Sequence, residues 1–224
     1  MDARGRVSVI LPWRPGCPHR EAALSWVLPR WEDTGWQVVV AEQPGGGAWC
    51  KAAAVAAGLA DATGDVLVVA DADVWCDGIG AAVDAVFRGA GWAVPHRLVY
   101  RLSEAATSGV LAGLVPSPGM RLVQAPYVGY AGGGITVLPR STYDQVPLDP
   151  RFRGWGQEDE SWAHALTVLA GDPWRGTTPL YHLWHPPQRR LSRRWGSAAG
   201  RALAARYGRA RTADRVRALL AEIP

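Results

Sequence analysis

An alternation of apolar strands and helices in the first 70 residues constrains the fold more than any other feature of this sequence. Residues 7–13 (VSVILPW), 36–43 (WQVVVAEQ) and 66–72 (VLVVADA) have the pattern of strands, and residues 19–35 and 48–63 have the pattern of helices between them. The strands are apolar along their length instead of alternating, which is typical of strands buried on both faces of a parallel sheet. The sequence therefore predicts an α/β fold with a mostly parallel central sheet flanked by helices.

The rest of the chain continues this pattern less regularly and without a long linker, so we expect a single domain. The predicted elements are a helix over residues 79–87, a strand and a turn over 91–102, a glycine-rich segment with a strand and a short helix over 127–146, a helix over 157–170, a strand edge over 181–187, and a helical tail in two pieces from about residue 197.

The composition indicates a large apolar core without a membrane span. Hydrophobic residues make up 48% of the 224 residues, and no apolar run reaches the roughly 18 residues that a membrane span needs. The N-terminus does not resemble a signal peptide, because Pro and Arg interrupt a short apolar run. Cys17, Cys50 and Cys76 are odd in number and widely spaced, which argues against a disulfide framework and against a cysteine zinc site. We expect a cytoplasmic protein without a transmembrane segment.

The net charge of +4 conceals an uneven distribution of basic residues. Lys51 is the only lysine, and ten arginines lie between Arg189 and Arg217, where Asp214 is the only acid. One interpretation of this tail is a solvated, arginine-rich helical face. The other is an anion-binding edge for a diphosphate, a nucleic acid or lipid head groups.

Two carboxylates follow the third predicted strand directly. In an extended chain, Asp71 and Asp73 would point to the same side, and two adjacent carboxylates repel each other unless a positive group lies between them. Ligands of parallel α/β sheets bind at the carboxyl ends of the strands. A positive group is therefore expected between the two acids. The alternative is a helix N-cap, a role that Asp77 fits better.

Further polar and glycine-rich elements follow at strand ends along the chain. The sequence lacks a Gly-x-Gly-x-x-Gly motif after the first strand and a Gly-x-x-x-x-Gly-Lys-Ser/Thr motif, which disfavours a dinucleotide fold and a P-loop. In their place are Arg14 after the first strand, Glu42 after the second, the glycine run 132–134, the segment GWGQEDE (154–160), and the pair His182 and His185.

This ordered set resembles the GT-A (Rossmann-like) fold of nucleotide-sugar glycosyltransferases. VSVILPWRPG and, further on, KAAAVAAGLADATGDVLVVADADV are similar to the donor-binding half of the large family 2. GGGITVLPRSTYDQVPLDPRFRGWGQEDESW is similar to the second half of the β-1,4-galactosyltransferases and polypeptide N-acetylgalactosaminyltransferases. The resemblance covers roughly residues 7–187. It implies a domain over 1–195, with a donor half (1–102) and an acceptor half (103–195), and a C-terminal helical extension (196–224) packed on the same domain.

The resemblance also implies a metal site. It assigns Asp73 to a bound Mn²⁺ or Mg²⁺ and Asp71 to the ribose, the metal or both. It further implies that a late histidine completes the ligand set. Because residues i and i+3 of a strand face opposite ways, we expect only one histidine to reach the metal. His185 is preferred, and His182 is expected to be a buried core histidine.

The same resemblance assigns catalytic and substrate-binding roles. Asp159 is expected to be the general base of an inverting enzyme, and Glu158 to hold the acceptor or the loop. Both acids could instead complement the dipole of the helix that follows. Trp155 and Gly156 are expected to bind the acceptor, although core packing is an alternative for Trp155. The donor-binding residues are expected to be Pro12, Arg14, Glu42, Lys51, Asp71, Ala72, Gly133, Gly134 and Arg193.

The sequence thus predicts a metal-dependent glycosyltransferase that uses a nucleotide-sugar, with a UDP-sugar favoured, and an acceptor glycan or protein. The compact, arginine-rich chain resembles glycosyltransferases encoded by bacteria or by phages of actinobacteria, which would place it in the host cytoplasm in the second case. One alternative is a nucleotidyltransferase, for which WRPGCPHR (13–20) is a poor phosphate-binding loop. The other is a non-catalytic module that binds sugar or nucleic acid through the arginine-rich tail. Because Asp73, Asp159 and His185 are all present, the non-catalytic alternative is less favoured, and nucleic acid is not an expected partner.

Overall fold

The computed structural model describes residues 6–129, 132–186 and 196–224. In chain order the elements are β1 (Val7–Trp13), α1 (Pro18–Glu32), β2 (Gln37–Glu42), α2 (Lys51–Asp61), β3 (Val66–Ala70), β4 (Val74–Trp75), α3 (Ile79–Phe87), β5 (Ala93–Arg101), α4 (Glu104–Leu111), β6 (Tyr127–Val128), β7 (Ile135–Pro139), α5 (Arg140–Gln145), α6 (Glu158–Ala170), β8 (Trp174–His182), α7 (Ala198–Arg209) and α8 (Ala213–Leu220).

All described strands belong to one sheet, in the order β2-β1-β3-β7-β5-β8-β4, with β6 paired to β5. β1 runs parallel to β2 and β3, and β5 runs parallel to β8. β7 lies antiparallel between β3 and β5, and β4 and β6 are antiparallel additions to β8 and β5. The predicted α/β class is confirmed, with five of these strands running in one direction and three in the other.

The sheet is buried on both faces, as the unbroken apolar strands predict. One face packs against α1 and α3 through side chains such as Val27, Trp31 and Val83. The other face packs against α2, α6 and the C-terminal helices through side chains such as Val55 and Leu166. Each buried side chain of this size stabilises the fold by about 1.5–3 kcal/mol. The core therefore fixes the strand ends at which polar residues collect.

The C-terminal tail forms α7 and α8, and both helices pack on α6. Tyr207 Oη donates a hydrogen bond of 2.9 Å to Oδ2 of the buried Asp149. Arg151 pairs with the same carboxylate at 2.7 Å and also with Glu222 at 2.8 Å. These contacts attach the end of the chain to the segment that precedes α6.

Several strands differ from their predicted limits, among them β3, β5 and β8. β8 begins at Trp174, before the predicted strand edge, because Gly176 lets it approach β5: a Cβ at this position would overlap the carbonyl oxygen of Pro95. β5 continues through Pro95 to Arg101, with irregular register on either side of His96. None of the described helices has the length and apolar character to cross a membrane.

Candidate active site

A cleft of about 890 Å³ opens at the carboxyl ends of β1, β3 and β8. Glu42 does not line it and is exposed at the end of β2, and Arg193 lies outside the described residues. The cleft brings together the other predicted site residues, which are Pro12, Arg14, Lys51, Asp71, Ala72, Asp73, Gly133, Gly134, Trp155, Gly156, Glu158, Asp159 and His185, as well as His182.

The two acids that follow β3 point to different partners. β3 ends at Ala70, and the chain turns at Ala72 and Asp73, so the alternation of an extended strand does not apply. Asp71 Oδ1 pairs with Lys51 Nζ at 2.8 Å, whereas Asp73 faces the late histidines. The two carboxylates therefore have different nearest partners, although the charge of His182 also acts on Asp71, and Asp71 is not part of the compact ligand group that Asp73 forms with the late histidines.

Asp73, His182 and His185 form a group whose potential ligand atoms all lie within 4.8 Å of one another. Nε2 of His185 is 3.3 Å from Asp73 Oδ2, and Nε2 of His182 is 3.9 Å from Asp73 Oδ1. β8 ends at His182, so strand alternation does not separate His182 from His185. The expectation that only one histidine reaches this site is therefore wrong.

Backbone hydrogen bonds orient both imidazole rings. Nδ1 of His182 donates to the carbonyl oxygen of Leu183 at 2.8 Å, and Nδ1 of His185 donates to that of Pro186 at 2.9 Å. A neutral ring whose Nδ1 carries the proton presents a free lone pair on Nε2. Burial lowers the pKa of His182, which favours this neutral form. The group is thus one carboxylate and two imidazoles prepared as ligands.

Lys51 joins Asp71 to Asp159 on the other side of the site. Its Nζ lies 2.8 Å from Asp71 Oδ1 and 2.9 Å from Asp159 Oδ1, and the side chain is 6% exposed. Burial would lower the pKa of Lys51, but the two carboxylates raise it above its usual value. Burial would raise the pKa of Asp71, but Lys51 lowers it. For Asp159, burial outweighs Lys51, and its pKa is raised.

Glu158 is an acid of the cleft whose pKa is strongly raised. It begins α6, after Gln157 turns the chain with a φ of 75°. Its Oε2 is buried and has no hydrogen-bond partner among the described residues. Burial and the nearby charge of Asp159 raise the pKa of Glu158 to about 7. A substantial fraction of this carboxyl is therefore protonated at neutral pH.

Gly132 brings the backbone that precedes β7 close to α6. Gly132 has a φ of +90°, and a Cβ there would lie 2.6 Å from the carbonyl oxygen of Asp159. Elsewhere on the cleft wall, Arg14 Nη1 donates to the carbonyl oxygen of Gly47 at 2.8 Å.

Trp155 is 36% exposed at the rim. It is therefore not a core residue.

Arg20 and Tyr127 of the cleft wall were not singled out by their sequence pattern for this site, and Arg101, at the end of the predicted strand and turn over residues 91–102, had only weak support as a donor contact. Arg20 Nε lies 3.9 Å from Asp73 Oδ2, and Arg101 Nε donates to Tyr127 Oη at 3.1 Å. Arg20 occupies the first turns of α1, where helical periodicity gives no sign of a role in the site. Arg101 and Tyr127 lie on paired strands, so only the pairing of β5 with β6 reveals their contact.

No protein-family model matches the chain, and a search of curated proteins finds no significant sequence match. Among solved structures, the chain is similar to a Drosophila β-1,4-galactosyltransferase 7 mutant in complex with manganese, UDP-Gal and xylobiose, with 16% identity over 81% of this chain and 71% of that one and a TM-score of 0.47. It is also similar to glucosyl-3-phosphoglycerate synthase from Mycobacterium tuberculosis with Mn²⁺, UDP-glucose and phosphoglyceric acid, with 18% identity over 82% and 74% of the two chains and a TM-score of 0.45.

A third solved structure, described as a mycobacterial protein, has 18% identity over 93% of this chain and 74% of that one, with a TM-score of 0.47. At TM-scores below 0.5, these similarities do not by themselves identify the activity of this chain. Its function is inferred below from its own residues.

Proposed function

We propose that this chain is a metal-dependent glycosyltransferase of the GT-A type, which transfers a sugar from a nucleotide-sugar to a hydroxyl of a glycan or protein acceptor. The observation that carries the proposal is the group Asp73, His182 and His185, in the same cleft as the acids Glu158 and Asp159. A UDP-sugar is the favoured donor. Three free cysteines support a reducing, cytoplasmic setting, which would be the host's cytoplasm for a phage-encoded enzyme.

The ligand group fits a divalent cation. Both imidazoles present Nε2 toward the carboxylate of Asp73 and have Nδ1 held by a backbone carbonyl. A set of two nitrogens and one oxygen suits Mn²⁺ better than Mg²⁺, which prefers oxygen ligands. When bound, such a cation would offset the charge of a leaving diphosphate. In this proposal, Asp71 pairs with Lys51 and contacts the donor ribose.

Asp159 is the proposed general base. Its Oδ1 accepts from Lys51, and its Oδ2 accepts no hydrogen bond from the described residues, so a lone pair remains for an acceptor proton. The acceptor oxygen forms a bond to the anomeric carbon while the bond from that carbon to the diphosphate breaks, and Asp159 takes the hydroxyl proton. Attack from the face opposite the leaving group inverts the anomeric configuration. The carboxyl of Glu158, with its pKa raised to about 7, can donate a hydrogen bond to the acceptor.

The remaining predicted residues take supporting roles. Gly133 and Gly134 lack side chains, so the backbone can approach the donor sugar and phosphates closely. The exposed face of Trp155, beside Gly156, is a suitable platform for an acceptor sugar. We retain Arg193 as a candidate diphosphate clamp on the strength of its sequence position alone. Pro12, Arg14 and Ala72 remain proposed donor contacts as cleft-lining residues.

The test is thermal stabilisation by nucleoside diphosphates and nucleotide-sugars with Mn²⁺, Mg²⁺ or EDTA. At a ligand concentration of about 100 times Kd, binding stabilises the folded chain by about 2.7 kcal/mol, which corresponds to a rise in Tm of roughly 5–10 °C for a chain of this size. We expect this rise with UDP and Mn²⁺, and its loss with EDTA and in Asp73→Ala. Asp77→Ala removes an exposed acid nearby and serves as the matched control.

Two outcomes would count against the proposal. If no nucleotide produced a metal-dependent rise in Tm, a nucleotide-sugar donor would be excluded. Release of pyrophosphate from a nucleoside triphosphate and a sugar phosphate, with no release of UDP from a UDP-sugar, would favour the alternative of a nucleotidyltransferase.

A further inference from the structure

The only lysine of the chain joins two carboxylates that come from distant parts of the sequence. Asp71 follows β3, and Asp159 lies in the first turn of α6, 108 residues away from Lys51. Lys51 itself is the first residue of α2. One buried ammonium group therefore connects three elements of the cleft.

Among the described residues, the other ion pairs that do not involve histidine use arginine. Arg151 also joins two acids, but it does so with the donors of one flat guanidinium: Nε and Nη2 bind Asp149, and Nη1 binds Glu222. An ammonium group is a compact charge with three donors, so it can join carboxylates that approach from different directions. Of the 24 basic residues, only Lys51 is a lysine. Its place between two acids is a position where an arginine would not be equivalent.

Local helix preferences do not explain this lysine. A positive charge in the first turn of a helix opposes the helix dipole. The first turn of α2 has no acid, and Cys50 provides no side-chain cap. The two carboxylates from outside the helix are therefore the groups that stabilise Lys51 at this position.

We propose that Lys51 is a positioning residue for the base of the reaction proposed above, on which this inference rests. Its ammonium group holds Oδ1 of Asp159 and leaves Oδ2 to accept the proton of the acceptor. The same contact fixes the distance between Asp159 and the donor-side acid Asp71. This role differs from the donor contact expected from the sequence, because two carboxylates already occupy the ammonium group.

The first experiment needs no substrate. It tests the contact of Lys51 with Asp71 and Asp159, which we call the bridge. The full chain is treated with an acetylating reagent, and mass spectrometry follows Lys51 with the N-terminal amine as the internal reference. Because the lysine is buried and doubly paired, we expect the native chain to react at the N-terminus only. Asp159→Asn should accelerate acetylation of Lys51 at least about tenfold, and Glu160→Gln, which removes an exposed acid of the same turn, should react like the native chain. Equal rates in the native chain and Asp159→Asn would overturn the bridge.

The second experiment separates positioning from donor binding. Lys51→Met should change the Kd for UDP with Mn²⁺ by less than about threefold, as measured by calorimetry. It should lower kcat for UDP release from the UDP-sugar by about tenfold to a hundredfold, which is at most the lower end of the roughly 10²–10⁴-fold contribution of a general base, because the base itself remains. Lys51→Arg should restore the charge but recover only a minor part of kcat. Arg151→Met is the control, because it removes a paired cation outside the cleft. At a temperature where this variant is folded, its Kd for UDP and its kcat should equal those of the native chain.

A double variant decides whether Lys51 acts through Asp159. If it does, Lys51→Met combined with Asp159→Asn should be no slower than Asp159→Asn alone, because residues that act as a unit are not additive. A Kd for UDP that weakens as much as kcat falls would make Lys51 a donor ligand and overturn the positioning role. If the native chain does not bind UDP with Mn²⁺ at all, the proposed function fails, and the acetylation experiment still decides the bridge.

Discussion

The native chain should lose stability as the pH rises, and replacing Glu158 by glutamine should make this loss smaller. Burial of the carboxyl and the neighbouring charge of Asp159 raise the pKa of Glu158 from 4.5 to about 7. A raised carboxyl pKa means that the folded chain binds this proton more tightly than the unfolded chain does. The corresponding stability is fully present below about pH 4.5 and is lost as the pH rises through about 7.

The size of this effect follows from the two pKa values. A difference of one pKa unit corresponds to about 1.4 kcal/mol, so the rise to about 7 represents at most about 3 kcal/mol. Asp159 and Lys51 also respond to the charge of Glu158, which reduces its effect. We therefore expect ionisation of Glu158 to lower the free energy of unfolding by about 1–3 kcal/mol. A glutamine amide has nearly the same shape and does not titrate. The variant and the native chain should therefore be similar near pH 5, and the variant should be the more stable of the two at pH 8.

Urea denaturation followed by tryptophan fluorescence measures the free energy of unfolding at each pH between 5 and 8. Glu160→Gln, an exposed acid in the same first turn of α6, is the matched control and should follow the native chain. A difference between Glu158→Gln and the native chain that stays constant from pH 5 to pH 8 would refute the argument that burial and Asp159 keep the proton on Glu158.

Three other changes test the site and the fold. His182→Ala should weaken Mn²⁺ binding at least about tenfold in calorimetry, as expected for a ligand and not for a core histidine. Tyr207→Phe removes the hydrogen bond to the buried Asp149 and should lower the free energy of unfolding by about 1–2 kcal/mol in urea titrations. Gly176→Ala places a Cβ against the carbonyl oxygen of Pro95 and should lower Tm by several degrees in circular dichroism, by separating β8 from β5.

Local sequence signals were sufficient for some elements and not for others. The predicted limits of β1 and α3 agree with the structure, because each is a predominantly apolar segment with a clear break at its end. The first part of β8 was not predicted, because Gly176 and Pro179 interrupt its pattern. Pairing with β5 makes this segment a strand, and that partner lies too far away in sequence for a local pattern to reveal it.

The site shows the same division between local and distant information. Strand ends predicted that Asp71, Asp73 and the two late histidines would lie in one cleft, but they also predicted Glu42, which does not line it. They did not predict that a turn after Ala70 would direct Asp71 toward Lys51 and Asp73 toward the histidines. In the sequence, Lys51 is an isolated polar residue in an alanine-rich helix. Its second partner, Asp159, belongs to a different half of the chain, so the pairing becomes visible only in three dimensions.

The position of β7 in the sheet also bears on how the chain is synthesised. β7 fills the gap between β3 and β5, although it follows both of them along the chain. β3 leaves the ribosome roughly 65 residues before β7, and until then one edge of a strand with no polar side chain remains unpaired. Such an edge can pair with other chains. A nascent chain that stalls before residue 135 should therefore depend on chaperones to avoid aggregation.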